Sequence, residues 1–320
     1  MKQQAGIGIL LALTTAICWG ALPIAMKQVL EVMEPPTIVF YRFLMASIGL
    51  GAILAVKKRL PPLRVFRKPR WLILLAVATA GLFGNFILFS SSLQYLSPTA
   101  SQVIGQLSPV GMMVASVFIL KEKMRSTQVV GALMLLSGLV MFNTSLVEIF
   151  TKLTDYTWGV IFGVGAATVW VSYGVAQKVL LRRLASPQIL FLLYTLCTIA
   201  LFPLANPGVI AQLSHWQLAC LIFCGLNTLV GYGALAEAMA RWQAAQVSAI
   251  ITLTPLFTLF FSDLLSLAWP DFFARPMLNL LGYLGAFVVV AGAMYSAIGH
   301  RIWGGLRKHT TVVSQPRAGE

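Results

Sequence analysis

Gln102 and Gln106 stand four residues apart and lead into Pro109, all within one apolar stretch. Ser248 and Thr252 repeat that spacing ahead of Pro255. On a helix each pair lies one turn apart on a single face. Each proline removes a backbone donor and pushes away the carbonyl four residues earlier, Gly105 or Ile251. Two polar, kinked helices of this kind can face a wet cavity and hold a solute by neutral hydrogen bonds. The same residues could instead bond one helix to another, for a modest gain in stability. Because stripe and proline recur together, the cavity is the favoured expectation.

Other residues fit such a cavity. Trp19 and Trp170 lie inside apolar runs, away from run ends where tryptophan anchors. They could wall a flat or apolar solute, with Tyr173 and Gln177 on the Trp170 face, or simply fill space between helices. Arg42 falls about 9 Å inside its run, at 1.5 Å per residue. It could bind a carboxylate through two parallel hydrogen bonds, pair with Asp263, or snorkel to headgroups. Asp263 and Glu237 could carry a proton if desolvated, although Arg241 stands four residues after Glu237 and offers a plain ion pair. Asn85, Asn227 and Tyr232 are further lining candidates.

Enzyme chemistry has little to build on. His215, His300 and His309 all lie outside the apolar runs, and neither H-E-x-x-H nor G-x-S-x-G is present. No P-loop occurs, so ATP hydrolysis is not expected, nor is any cofactor or metal. The four cysteines (Cys18, Cys197, Cys220, Cys224) sit in apolar runs and read as small buried hydrophobes. Gly231 to Ala236 mimics a dinucleotide fingerprint, but inside an apolar run and after no strand.

These residues must be positioned by elements in a bilayer. Of 320 residues, 58% are hydrophobic and 10% charged; soluble domains average about 45–50% and about 25%. The chain therefore reads as an all-α polytopic membrane protein with ten transmembrane helices. Runs near the required length fall at 7–27, 37–56, 71–93, 98–119, 127–146, 157–180, 187–205, 216–239, 244–267 and 278–299. Counting connections, 19 of the 23 basic residues fall on the side of the N-terminus, including the run Lys57 to Arg70. Such a bias predicts both termini in the cytoplasm and explains the +14 charge without nucleic acid. The expected partners are membrane lipid and a small-molecule substrate.

The chain also repeats itself. A shift of 151 residues sets Gly8 on Gly159, Ala16 on Ala167, Trp19 on Trp170, Lys27 on Lys178, Pro36 on Pro187 and Phe40 on Phe191. Pro109 then matches Pro255, and Gly131 and Gly138 match Gly285 and Gly292, after a short insertion around Pro270–Pro276. Those glycines, like Gly159 and Gly163, predict close helix packing. Five spans per copy make the second copy upside down relative to the first, as in alternating-access carriers. The expected units are 1–147, 156–300 and a cytoplasmic tail at 301–320.

On AICWGALPIAMK (16–27), YRFLMA (41–46), LQYLSPTASQVIGQLSPVGMMVASVFILKEK (93–123), ATVWVSYGVAQK (167–178) and AMARWQAAQVSAIITLTPLF (238–257), the chain resembles EamA-type carriers of the drug/metabolite transporter superfamily. Leu120–Glu122 closes the fourth span, whereas Ser266–Ala268 stands at its counterpart. The resemblance implies a ten-helix carrier exporting amino acids, related metabolites or drugs. The expected function is secondary export of amino acids or similar small metabolites across the inner membrane. Drug efflux is the alternative, ahead of a polytopic enzyme or a non-transporting subunit.

Overall fold

Prolines and small caps start most of the helices. The structure, a computed structural model, describes residues 5–62, 68–119, 126–142, 154–242, 244–270, 272–273 and 278–313. Its helices are α1 (Ala5–Val29), α2 (Pro35–Val56), α3 (Pro69–Tyr95), α4 (Pro98–Gly105), α5 (Leu107–Phe118) and α6 (Ser126–Phe142). There follow α7 (Asp155–Leu180), α8 (Ser186–Leu201), α9 (His215–Arg241), α10 (Ala244–Ile251), α11 (Thr254–Ala268) and α12 (Leu280–Val313). Proline opens α2, α3, α4 and α8, where its missing N–H costs nothing. Ser97, Thr154 and Ser214 cap α4, α7 and α9 by accepting from the backbone N–H three residues on. No strand occurs among the described residues.

Among the described residues, seven stretches are long and apolar enough to cross a membrane, where ten spans are expected. Six are carried by α1, α2, α3, α7, α8 and α9, and the seventh is Val247–Ala268, which runs through α10 and α11. Ser126–Phe142 and Leu280–Ser296 are apolar but shorter. The expected span 98–119 is the pair α4 and α5, interrupted at Gln106. A second interruption separates α10 from α11 at Thr252 and Leu253. Each falls just ahead of its proline, where the Gly105 or Ile251 carbonyl has lost its donor. There the chain tightens, with Gln106 N bonding Val103 O at 3.1 Å and Leu253 N bonding Ile250 O at 3.0 Å. The last helix continues past the expected end at 299, to Val313.

Packing exchanges elements between the halves. α2 packs on α8 and α6 on α12, while α1 packs on α9 and α7 on α3. The α6–α12 contact is made backbone to backbone. A methyl group added to Gly131 would lie 2.6 Å from the Gly292 carbonyl, and one on Gly292 would lie 2.7 Å from the Gly131 carbonyl. Gly138 and Gly285 face each other in the same way, each 2.8 Å from the other's carbonyl. Only glycine permits that approach.

Several expectations lie outside the described residues: Leu120–Glu122, residues 63–67 of the basic loop, and residues 271 and 274–277 of the insertion. So do residues 1–4 and 314–320 at the termini.

Candidate functional site

A proline in α1 organises the centre of the bundle. Pro23 has no N–H to offer the Trp19 carbonyl. Gln102 on α4 supplies the donor instead, Nε2 to Trp19 O at 2.8 Å. The flanking carbonyls are also taken, Cys18 O by Asn227 Nδ2 at 2.5 Å and Gly20 O by Thr258 Oγ1 at 2.8 Å. Three helices thus hold α1 one turn ahead of Pro23 through three consecutive carbonyls. Asn85 makes the related contact in the other half, donating from Nδ2 to Ala166 O of α7 at 3.0 Å. The amides of Gln102, Asn85 and Asn227 therefore each bond another helix, the alternative left open for Gln102 and not foreseen for the two asparagines.

Beside this brace, aromatic rings close a circuit. Tyr232 and Phe86 lie 6.4 Å apart between centroids, Phe86 and Phe43 4.5 Å, Phe43 and Tyr194 5.7 Å, and Tyr194 and Tyr232 6.3 Å. Trp19 joins at 5.1 Å from Tyr232. The Arg42 guanidinium sits over the Phe86 ring, 4.6 Å from its centroid. Its Nε donates to Thr228 Oγ1 at 3.2 Å, and its Nη1 approaches Met26 Sδ at 3.5 Å. At 2% exposure, Arg42 is inside the protein and does not snorkel. It also makes no ion pair with Asp263. Among the described residues the ion pair is Arg241 with Glu237, one turn apart and exposed.

The remaining candidates are spread around this centre. Gln106, at the break between α4 and α5, is half-buried and its side chain makes no hydrogen bond among the described residues. Thr252, at the other break, is 7% exposed and turns its hydroxyl back to Ala249 O at 2.7 Å. Ser248 is half-buried. Trp170 packs edge-on against buried Tyr173 at 6.0 Å, and Gln177 lies one turn further along α7. Pro255 is buried whereas Pro109 is exposed, so the two breaks are not equivalent. Asp263 is half-buried near the end of α11. No cluster of three or more His, Cys, Asp or Glu side chains suited to a metal occurs among the described residues.

Sequence reasoning missed Pro23, Phe43, Phe86, Tyr194 and Thr228. Two of them were signalled. Pro23 stands four residues after Trp19, and Tyr194 lies well inside its run rather than at an end.

The two ends of the bundle differ. At the end where α1 finishes, Lys27 Nζ donates to Leu93 O at 2.5 Å and Leu96 O at 3.0 Å, placing a cation on the C-terminus of α3. Trp216 and Gln217 on α9 bond Gln28, and Gln94 bonds Glu34. At this end α4 packs on both α1 and α11. Exchanging the halves maps α4–α11 to α10–α5, α1–α4 to α7–α10, and α1–α3 to α7–α9. None of those three counterparts is comparably packed among the described residues. Gly105, at the break between α4 and α5, has nothing within 4 Å of an added methyl group.

Known proteins share this arrangement of sequence. Residues 6–144 and again 157–293 match the EamA-like transporter family. The chain is 99% identical to the inner membrane transporter YhbE of Escherichia coli (strain K12), over 100% of both chains. It is 27% identical to the aromatic amino acid exporter YddG of Ancylobacter novellus over 170 residues, 53% of this chain and 57% of that one. A solved crystal structure shares the fold, with a TM-score of 0.64 at 19% identity over 94% of this chain and 99% of the other.

Proposed function

The chain belongs to the EamA-like transporter family, and from that premise we propose that it exports amino acids or related small metabolites across the inner membrane by alternating access. This reading takes the chain across the membrane ten times, as two inverted five-helix repeats. The seven full-length stretches, the two shorter apolar helices and the broken pair α4–α5 supply the ten. A 17-residue helix such as α6 reaches about 26 Å, close to the thickness of the hydrocarbon core. The repeats are residues 1–147 and 156–300, with 301–320 beyond the membrane.

The observation that carries the proposal is the unequal packing of the two ends around a polar, aromatic centre. Inverted halves in one conformation seal one face and part at the other, because exchanging their conformations reverses access. In this reading the face holding Lys27, where α4 packs on α1 and α11, is the closed one and the face holding the N-terminus is the one that opens. The excess of Lys and Arg on the N-terminal side makes that face cytoplasmic, with both termini there. The structure is then the state that loads substrate from the cytoplasm. Gln106, Trp19, Trp170 and Tyr232 line the route, and Ser248 and Thr252 stand at the opposite break. Asp263 is the better candidate for carrying a proton, since Glu237 is exposed and paired with Arg241.

Counterflow in proteoliposomes against amino acids, nucleosides and cationic drugs tests this directly. Amino acids should exchange, and Gln106→Leu should cut that flux while leaving membrane insertion intact. Exchange of cationic drugs alone would replace metabolite export by drug efflux.

A further inference from the structure

We propose that Arg42 is the carboxylate anchor of the central site, and that the adjoining ring circuit selects a flat apolar group on the same molecule. This deepens, and rests on, the transport reading above. Arginine stays charged at any physiological pH, so its burial demands compensation. The partners the protein gives it are neutral: the Thr228 hydroxyl, the Met26 thioether and the Phe86 face. They occupy Nε and Nη1 but leave Nη2 with no hydrogen bond to the described protein. The described acids are engaged or placed elsewhere. Glu31 and Glu34 accept from glutamines at the sealed end, Glu237 holds Arg241, Asp155 starts α7 and Asp263 lies on α11. A guanidinium with one side of its fork open is shaped to receive a carboxylate.

Two more groups at this place are left without partners. The Tyr194 hydroxyl and the Asn227 Oδ1 are buried and make no hydrogen bond, although the two residues are only 1% and 3% exposed. Leaving such atoms unmatched is costly in a bilayer unless something else meets them. Tyr194 stacks on Phe43, the residue after Arg42, and Asn227 precedes the threonine that Arg42 holds. A hydroxyl donor beside the guanidinium suits a second carboxylate contact, and the Asn227 carbonyl suits an ammonium. Trp19, Tyr232 and Phe86 add π-faces next to the cation. The class of substrate that meets all of this is a small aromatic carboxylate, with a zwitterionic amino acid satisfying the most groups.

The test uses full-length protein in detergent, titrated calorimetrically with L-phenylalanine, hydrocinnamate and phenethylamine. These share a ring and differ in which charged group they carry. Phenylalanine and hydrocinnamate should bind, with phenethylamine at least tenfold weaker. Arg42→Gln should erase that preference and Arg42→Lys should keep part of it, both eluting as monodisperse protein. If Arg42→Gln does not fold, the ranking of the three probes on the unaltered protein decides. Equal binding of phenethylamine and hydrocinnamate would overturn the anchor, as would a preference that survives Arg42→Gln. Binding of none of the three, while the protein still exchanges other solutes in the counterflow panel, would overturn the substrate class and leave the transport reading standing.

Discussion

The Lys27 end and the N-terminal end of the bundle are built from equivalent helices, yet they are tied differently. At the Lys27 end a lysine sits on three carbonyls, glutamines cross between helices and α4 touches both α1 and α11. At the other end the counterparts of the α4 contacts, α10 on α5 and α10 on α7, are not comparably packed among the described residues. Sequence symmetry with unequal contacts means that the contacts that differ are the ones that must form and break. Those that do not differ, the α6–α12 seam above all, are the frame against which the rest moves.

The largest effect should come from that frame. Gly138→Leu or Gly285→Leu drives a side chain into the opposite backbone, with a cost upwards of ~3 kcal/mol. Thermal unfolding in detergent should show the loss, whereas Gly105→Ala, which meets nothing, should leave the midpoint in place. A seam that accepts leucine would mean that α6 and α12 do not pack as described.

Next is the tie itself. Lys27→Met removes a cation from the C-terminus of α3, worth ~1 kcal/mol, or roughly fivefold in the ratio of the two access states. Labelling of a central cysteine from the Lys27 side should rise by that factor, and an unchanged ratio would make Lys27 a bystander. Smaller again is the separation of the two glutamines. Gln102→Leu should cost ~1 kcal/mol of stability, because the Trp19 carbonyl loses its donor. Gln106→Leu should cost flux and no stability. If both variants behaved alike, the difference in role between them would fall. Glu237→Gln should do least, since an exposed pair one turn apart contributes a few tenths of a kcal/mol.

How much of this was legible in the residues depends on the kind of contact. Long apolar runs give helices by composition alone, and a proline inside a run gives a break, so the interruptions ahead of Pro109 and Pro255 could be placed from sequence. Arg42 stood out because a charge inside an apolar run needs a reason. What each polar group touches was another matter. Gln102 and Gln106 look alike on a helical wheel, but the break at Gln106 and the empty carbonyl above Pro23 send one amide to Trp19 and leave the other free. That assignment depends on how α4 is rotated against α1, which no single run encodes. The ring circuit was invisible for the same reason, since Phe43, Phe86, Tyr194 and Tyr232 come from four helices. The ends of the spans were blurred where helix outlasts hydrophobicity, as in α12, which runs on through Arg301 and Arg307.

Alternating access with the N-terminal face parted is the central claim, and one labelling experiment meets it head on. The four native cysteines are replaced and a single Gln106→Cys is placed at the break between α4 and α5. A membrane-impermeant maleimide is then offered to right-side-out and to inside-out vesicles. A cytoplasm-facing site predicts labelling from the inside-out preparation, with little from the other. Labelling of equal speed from both sides, or faster labelling from the Lys27 side, would contradict it.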